Sequence, residues 1–83
     1  RLSVVQPRLT STLLRQAPAT VVVIFIVDEN GRVQDPKVQR TTNPSFDRSA
    51  LAAIKQWKFE PAKVQGRSVS SRLRQSFSFE NNT

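Results

Sequence analysis

The chain has 83 residues and carries 13 lysines and arginines against 6 acidic residues, a net charge of +7, with no cysteine, histidine or tyrosine. A chain this short makes one small domain with a modest core. The missing residue types remove disulfides, thiol nucleophiles, the usual general base and most metal ligands.

The carboxylates Asp28, Glu29, Asp35, Asp47, Glu60 and Glu80 are scattered, and no two stand three or four apart as a helical pair. Serines abound, but no motif sets a lysine base beside one, and Gly31 and Gly66 alone make no phosphate-cradling loop. A domain without catalytic residues, metal or cofactor is expected. The basic excess suits nucleic acid, an anionic surface or a solvated exterior. The chain opens on Arg1 rather than Met and is expected to be a piece of a longer protein.

In chain order, LTSTLLRQ (9–16) suits a short helix on Leu9, Leu13 and Leu14 that Pro18 ends. VVVIFIV (21–27) is then an unbroken apolar run. A membrane-spanning helix needs about 20 such residues, and a lone strand cannot satisfy its backbone in lipid. Its β-branched residues favour a pleated surface, so the run predicts a buried strand. Val21, Val23, Phe25 and Val27 form one face and Val22, Ile24 and Ile26 the other. The second face needs a cover, or it remains a patch that aggregates or binds.

DENGRV (28–33) turns the chain. Asp28 and Gly31 fit a type I turn with Gly31 as the left-handed residue of a three-residue loop, which sets Val33 beside Val27. A two-residue loop on Asn30-Gly31 would set Val33 opposite Asp28, a poorer burial. The return strand runs from Arg32 to about Arg40. Val33 and Val38 differ in parity, so one face holds both only through a bulge near Gln34-Asp35. Pro36 cannot donate to a ladder. Both features place this strand at a rim of the sheet.

TTNPSFDRSALAAIKQW (41–57) predicts the clearest helix, capped by Asn43 with Pro44 in first position, or by Ser45. Phe46, Ala50, Ala53, Ile54 and Trp57 share its apolar face. Pro61 bars further helix. Trp57 and Phe59 read as core anchors, each worth about 3–5 kcal/mol against Ala, and not as binding residues.

GRSVSSRLRQSFSF (66–79) alternates. Val69, Ser71, Leu73, Gln75, Phe77 and Phe79 fall on one face, and Ser68, Ser70, Arg72, Arg74, Ser76 and Ser78 on the other. This predicts a half-buried strand over 68–79 with a polar, basic outer face. Single-strand nucleic-acid binders interleave aromatic and basic residues on one open face. Here the phenylalanines point away from the arginines, so nucleic acid is not an expected partner.

The apolar first strand belongs in the middle of a three-stranded sheet. One rim is blunted by Pro36 and a bulge, whereas 68–79 keeps an unbroken row of donors and acceptors. Such an edge is a hazard unless something pairs with it. Either a partner strand adds there, or the N-terminal segment or a second copy of the chain covers it.

VVVIFIVDENGRV (21–33), FDRSALAAIKQWKFEPA (46–62) and SSRLRQSFSF (70–79) together resemble, in order, the C-terminal domain of TonB-type energy transducers. The Gly31-Arg32-Val33 turn, the Phe46-Asp47 helix start and Trp57-Lys58-Phe59-Glu60-Pro61-Ala62 are the specific parts. The resemblance implies an α+β fold, a three-stranded antiparallel sheet with one or two helices packed on one face. A single domain over 1–83 is expected, with 1–8 an extended segment and 80–83 a frayed tail. The resemblance also implies a periplasmic location, with an N-terminal helix anchoring the longer protein in the inner membrane beside proton-driven motor proteins.

The implied partner is the TonB box of an outer-membrane transporter for siderophore, haem or vitamin. It would add as a strand beside Ser68, Val69, Ser70, Ser71, Arg72, Leu73, Arg74, Gln75, Ser76 and Phe77. Family members often read Gln-Pro-x-Tyr-Pro ahead of the first helix, a region that contacts the transporter, and here only Gln6-Pro7 matches. The family's glycine before the first strand is Ala19. Many relatives also place polar residues where this chain has Val22, Ile24 and Ile26, so a homodimer, a covering segment or a dedicated partner is implied for that face. Arg72 and Arg74 are expected to attract acidic partner residues and raise the association rate. The alternatives are a TonB-like envelope module acting on peptidoglycan or a signalling partner, and a small basic nucleic-acid-binding domain.

Overall fold

The computed structural model describes residues 3–80. Residues 1–2 and 81–83, the latter most of the segment expected to fray, lie outside the described residues. The elements are α1 (Ser11–Gln16), β1 (Ala19–Val27), β2 (Val33–Thr41), α2 (Asp47–Ile54), β3 (Ala62–Val64), β4 (Arg67–Val69) and β5 (Ser71–Phe79). They form a three-stranded antiparallel sheet in the order β2-β1-β5, with a separate β3-β4 hairpin.

The odd-numbered face of β1 is the core. Val21, Val23, Phe25 and Val27 are buried there with Phe46, Ala50 and Ile54. The five phenylalanines and one tryptophan form a continuous run, from Phe46 through Phe79, Phe77, Trp57 and Phe59 to Phe25, with neighbouring rings 4.8–6.5 Å apart. Val5, Leu9 and Leu13 pack against the same core from the N-terminal side. Thr10 caps α1, its hydroxyl accepting from the Leu13 amide at 3.2 Å.

The β1-β2 turn takes the three-residue form. The Gly31 amide donates to the Asp28 carbonyl at 3.0 Å, Gly31 has φ +82°, and Val33 pairs with Val27. The Asp28 carboxylate accepts from the amides of Asn30 and Arg32 and from the Gln34 side chain, each at 2.9 Å. β2 is bulged where expected, between the partners of Ile24 and Ile26, with Asp35 at φ +52°. A second bulge lies between the partners of Val22 and Val23. The first bulge brings Val33 and Val38 onto one face, opposite Val27 and Val23.

Asn43 caps the next helix, accepting from the Ser45 amide at 3.0 Å, with Pro44 in first position. The first turn, Pro44–Phe46, is a 3₁₀ helix, and α2 ends at Ile54, well before Pro61. Tertiary bonding accounts for the early stop. Lys58 exchanges hydrogen bonds with Ser3 at 3.0 and 3.1 Å, and the Phe59 amide donates to the Gly31 carbonyl at 2.9 Å. The chain must be extended there to reach both.

The expected strand over 68–79 is divided. Gln65 and Gly66 have φ of +51° and +79°, the two-residue turn that closes a tight hairpin, and Ala62, Lys63 and Val64 pair with Val69, Ser68 and Arg67. Ser68 and Val69 therefore belong to β4, and Ser70 lies between the strands. None of the three is on the edge of the main sheet.

Candidate functional site

The β1-β2 hairpin determines which peptide groups of β5 are free to bond outward. The Asp28 amide donates to the Arg32 carbonyl at 2.9 Å, and the Thr20 carbonyl accepts from the Thr42 amide at 3.0 Å. Even-numbered positions from Thr20 to Asp28 thus turn their backbone groups toward β2. Antiparallel alternation turns the odd-numbered ones toward β5. The β1-β5 register is unbroken from Ala19↔Phe79 to Val27↔Ser71. So the odd-numbered residues of β5 bond to β1, and the N–H and C=O groups of Arg72, Arg74, Ser76 and Ser78 face the open edge. Nine residues give that edge a length of about 30 Å.

The other rim is unsuited to strand addition. β2 is interrupted by two bulges, and Pro36 lacks an amide proton. Lys37 and Asp35 pair across its first bulge at 3.6 Å, both about two-thirds exposed, an ion pair worth little to stability.

The expected site residues separate into two groups. Ser71, Arg72, Leu73, Arg74, Gln75, Ser76 and Phe77 lie on β5, whereas Ser68, Val69 and Ser70 do not. Gln6 and Pro7, distant in sequence, are brought to the C-terminal end of β5. There, with Leu9, they line a cavity of about 300 Å³ against Phe77, Phe79 and Glu80. The Trp57 indole fixes this segment by donating to the Val5 carbonyl at 2.8 Å. Leu9 is a lining residue that sequence pattern assigned only to a helix.

Phe77 and Phe79 are buried in the aromatic run and offer no platform for stacking a base. Leu73 is 38% exposed at the edge. On the opposite face Arg72 and Arg74 are exposed, directly across from Ile26 and Ile24. Arg40, Lys37 and Gln34 flank the same apolar row from β2. Val22 is only 6% exposed and Ile24 and Ile26 are half-buried, so this second face is partly covered by its long-stemmed neighbours. Among the described residues no cluster of acidic side chains could hold a metal ion, and no helix is long and apolar enough to cross a membrane.

A central apolar strand, one blunted rim, one open rim and helices on a single face define a small α+β domain. Residues 14–80 match the family described as Gram-negative bacterial TonB protein C-terminal, and the chain belongs to that family. It is 35% identical over 60 residues to Protein TonB of Xanthomonas campestris pv. campestris strain B100, and equally to that of strain ATCC 33913. The match takes in 71% of this chain but only 27% of each of those relatives. The solution NMR structure of the Pseudomonas aeruginosa TonB CTD superposes with a TM-score of 0.79 at 26% identity, over 95% of this chain and 82% of that one.

Proposed function

We propose that this domain is the non-catalytic periplasmic end of a TonB-type energy transducer. It binds the TonB box of an outer-membrane transporter as a strand added to β5. The longer protein is anchored in the inner membrane and passes proton-motive force from its motor partners to the transporter, for uptake of siderophore, haem or vitamin. The observation that supports this reading is the asymmetry of the sheet: β5 has β1 on one side only, and its outward peptide groups run in a row along the whole strand. The Gln75 side chain donates to the Ser76 carbonyl at 2.9 Å, a local bond that an added strand replaces. Main-chain bonds along such a row give affinity, and side-chain pockets give specificity. Gln6 and Pro7, at the end of the same edge, are assigned to the transporter contact with it.

The test is NMR titration of the labelled domain with TonB-box peptides. Shifts along residues 71–79 and at Gln6 are expected. Shifts confined to Val33–Thr41 would place the ligand on the other rim and overturn the assignment. The open edge also suits a second copy of the chain, and sedimentation of the free domain distinguishes that homodimer from the monomer.

A further inference from the structure

Arg72 and Arg74 point their peptide groups outward while their side chains rise on the face away from the helices. A strand added to this edge alternates its own side chains between the two faces with a period of 2, whichever way it runs. We propose that the strand this edge accepts carries carboxylates two residues apart, beside Arg72 and Arg74, with apolar residues between. The inference rests on the strand-addition reading and specifies its ligand.

Three observations converge on it. The two guanidinium groups have no carboxylate partner, since the one ion pair among the described residues joins Lys37 to Asp35. Lys37 and Arg40 flank the same face from β2, and its carboxylates are already engaged, Asp35 with Lys37 and Asp28 with the Gln34 side chain and the Asn30 and Arg32 amides, so the face keeps a net positive charge. An acidic residue entering here meets net attraction, because both carboxylates of the face already have partners. The inner side of the same edge carries no basic residue. It presents Leu73, 38% exposed, between the uncharged Ser71 and Gln75, and then the cavity where Pro7, Leu9, Phe77 and Phe79 meet Gln6 and the acidic Glu80. A guest residue facing inward loses its hydration against these groups, which favours an aliphatic side chain and penalises a charge.

Two octapeptides of one composition test this, both acetylated and amidated. One carries the alternating core Val-Glu-Val-Glu and the other the adjacent core Val-Glu-Glu-Val. Adjacent glutamates cannot both lie beside the arginines, because one of them must face inward in any register. In NMR titrations of the domain the alternating peptide is expected to bind about fivefold more tightly, from one additional cross-strand charge pair and from sparing the adjacent peptide's inward-facing glutamate. The double variant Arg72→Gln/Arg74→Gln is expected to erase that preference while β5 shifts persist with both peptides. Equal binding of the two peptides along β5 would overturn the carboxylate spacing and leave strand addition standing. A preference that survives in the double variant would overturn the arginine assignment. If neither peptide nor any TonB-box peptide moves β5, strand addition itself fails. Stronger perturbation of Arg72, Arg74 and Arg40 by phosphatidylglycerol vesicles than by either peptide would overturn the proposal in favour of a lipid surface.

Discussion

The indole N–H of Trp57 donates to the carbonyl of Val5 at 2.8 Å, across 52 positions of sequence. That bond joins the end of the helical layer to the segment that carries Gln6 and Pro7 to β5. Ser3 and Lys58 extend the attachment with their pair of backbone bonds. Replacing Trp57 with Phe keeps most of the ring against Phe77 and Phe59 but removes the donor. A loss of about 1 kcal/mol is expected by urea denaturation. Amide exchange of Lys58 should accelerate more than that of β1, because the N-terminal segment loosens first.

Gly31 has no room for a side chain. Its φ of +82° is unfavourable for any other residue, and a Cβ there would collide with the carbonyl oxygen of Phe59. Gly31→Ala is expected to cost more than about 2 kcal/mol, combining backbone strain with displacement of the 59–61 segment. Gly66 has a similar φ of +79° but open space around it. Gly66→Ala should cost roughly 1 kcal/mol, the strain alone. Thermal denaturation of the two variants measures the difference.

Proline scanning along β5 reads the direction of each peptide group. Ser76→Pro removes an outward-facing amide, so the β1-β5 ladder survives and the domain should keep its fold while losing peptide binding. Gln75→Pro removes an amide bonded to β1 and is expected to destabilise by roughly 2–3 kcal/mol. Circular dichroism melts paired with peptide titration separate the two. Equal destabilisation by both would mean that the assigned alternation is wrong.

The Asp28 carboxyl is held below the ordinary carboxylate range by the Gln34 side-chain hydrogen bond first, then by the Arg32 and Asn30 amides. A depressed folded pKa stabilises the fold fully above the unfolded value, near 4, and that contribution is lost as pH falls through the lower folded value. Asp28→Ala should therefore melt below the parent at neutral pH, with the two melting temperatures converging as the solution is acidified below pH 4. A gap unchanged at low pH would remove the charge from the explanation.

Several of these features were legible from local pattern. The parity of Val33 and Val38 demanded a bulge, and β2 has one at Asp35. The apolar face of Phe46, Ala50, Ala53, Ile54 and Trp57 is the buried one. The hairpin turn took the form that sets Val33 beside Val27. What pattern did not reveal was where β5 begins. Val69 and Ser71 share a parity, so alternation ran through the break at Ser70. Only the two left-handed residues at Gln65 and Gly66 show that 67–69 fold back on 62–64. The signal present in sequence was the Gln-Gly pair itself, a weak one because Gln seldom adopts positive φ.

By itself the sequence determined faces: which side chains enter the core, which stay wet, and where Pro36 and Gly31 force the chain to deviate. Side-chain period and backbone sterics act over a few residues and need no partner to be expressed. Only the tertiary structure decided edges: that Lys58 breaks from helix to meet Ser3, that Gln6 and Pro7 arrive beside Phe77, and that Arg72, Arg74, Ser76 and Ser78 turn their peptide groups to the open side. Whether a backbone group is satisfied depends on which strand lies next to it and in what register, and those are properties of the assembled sheet rather than of any stretch of chain.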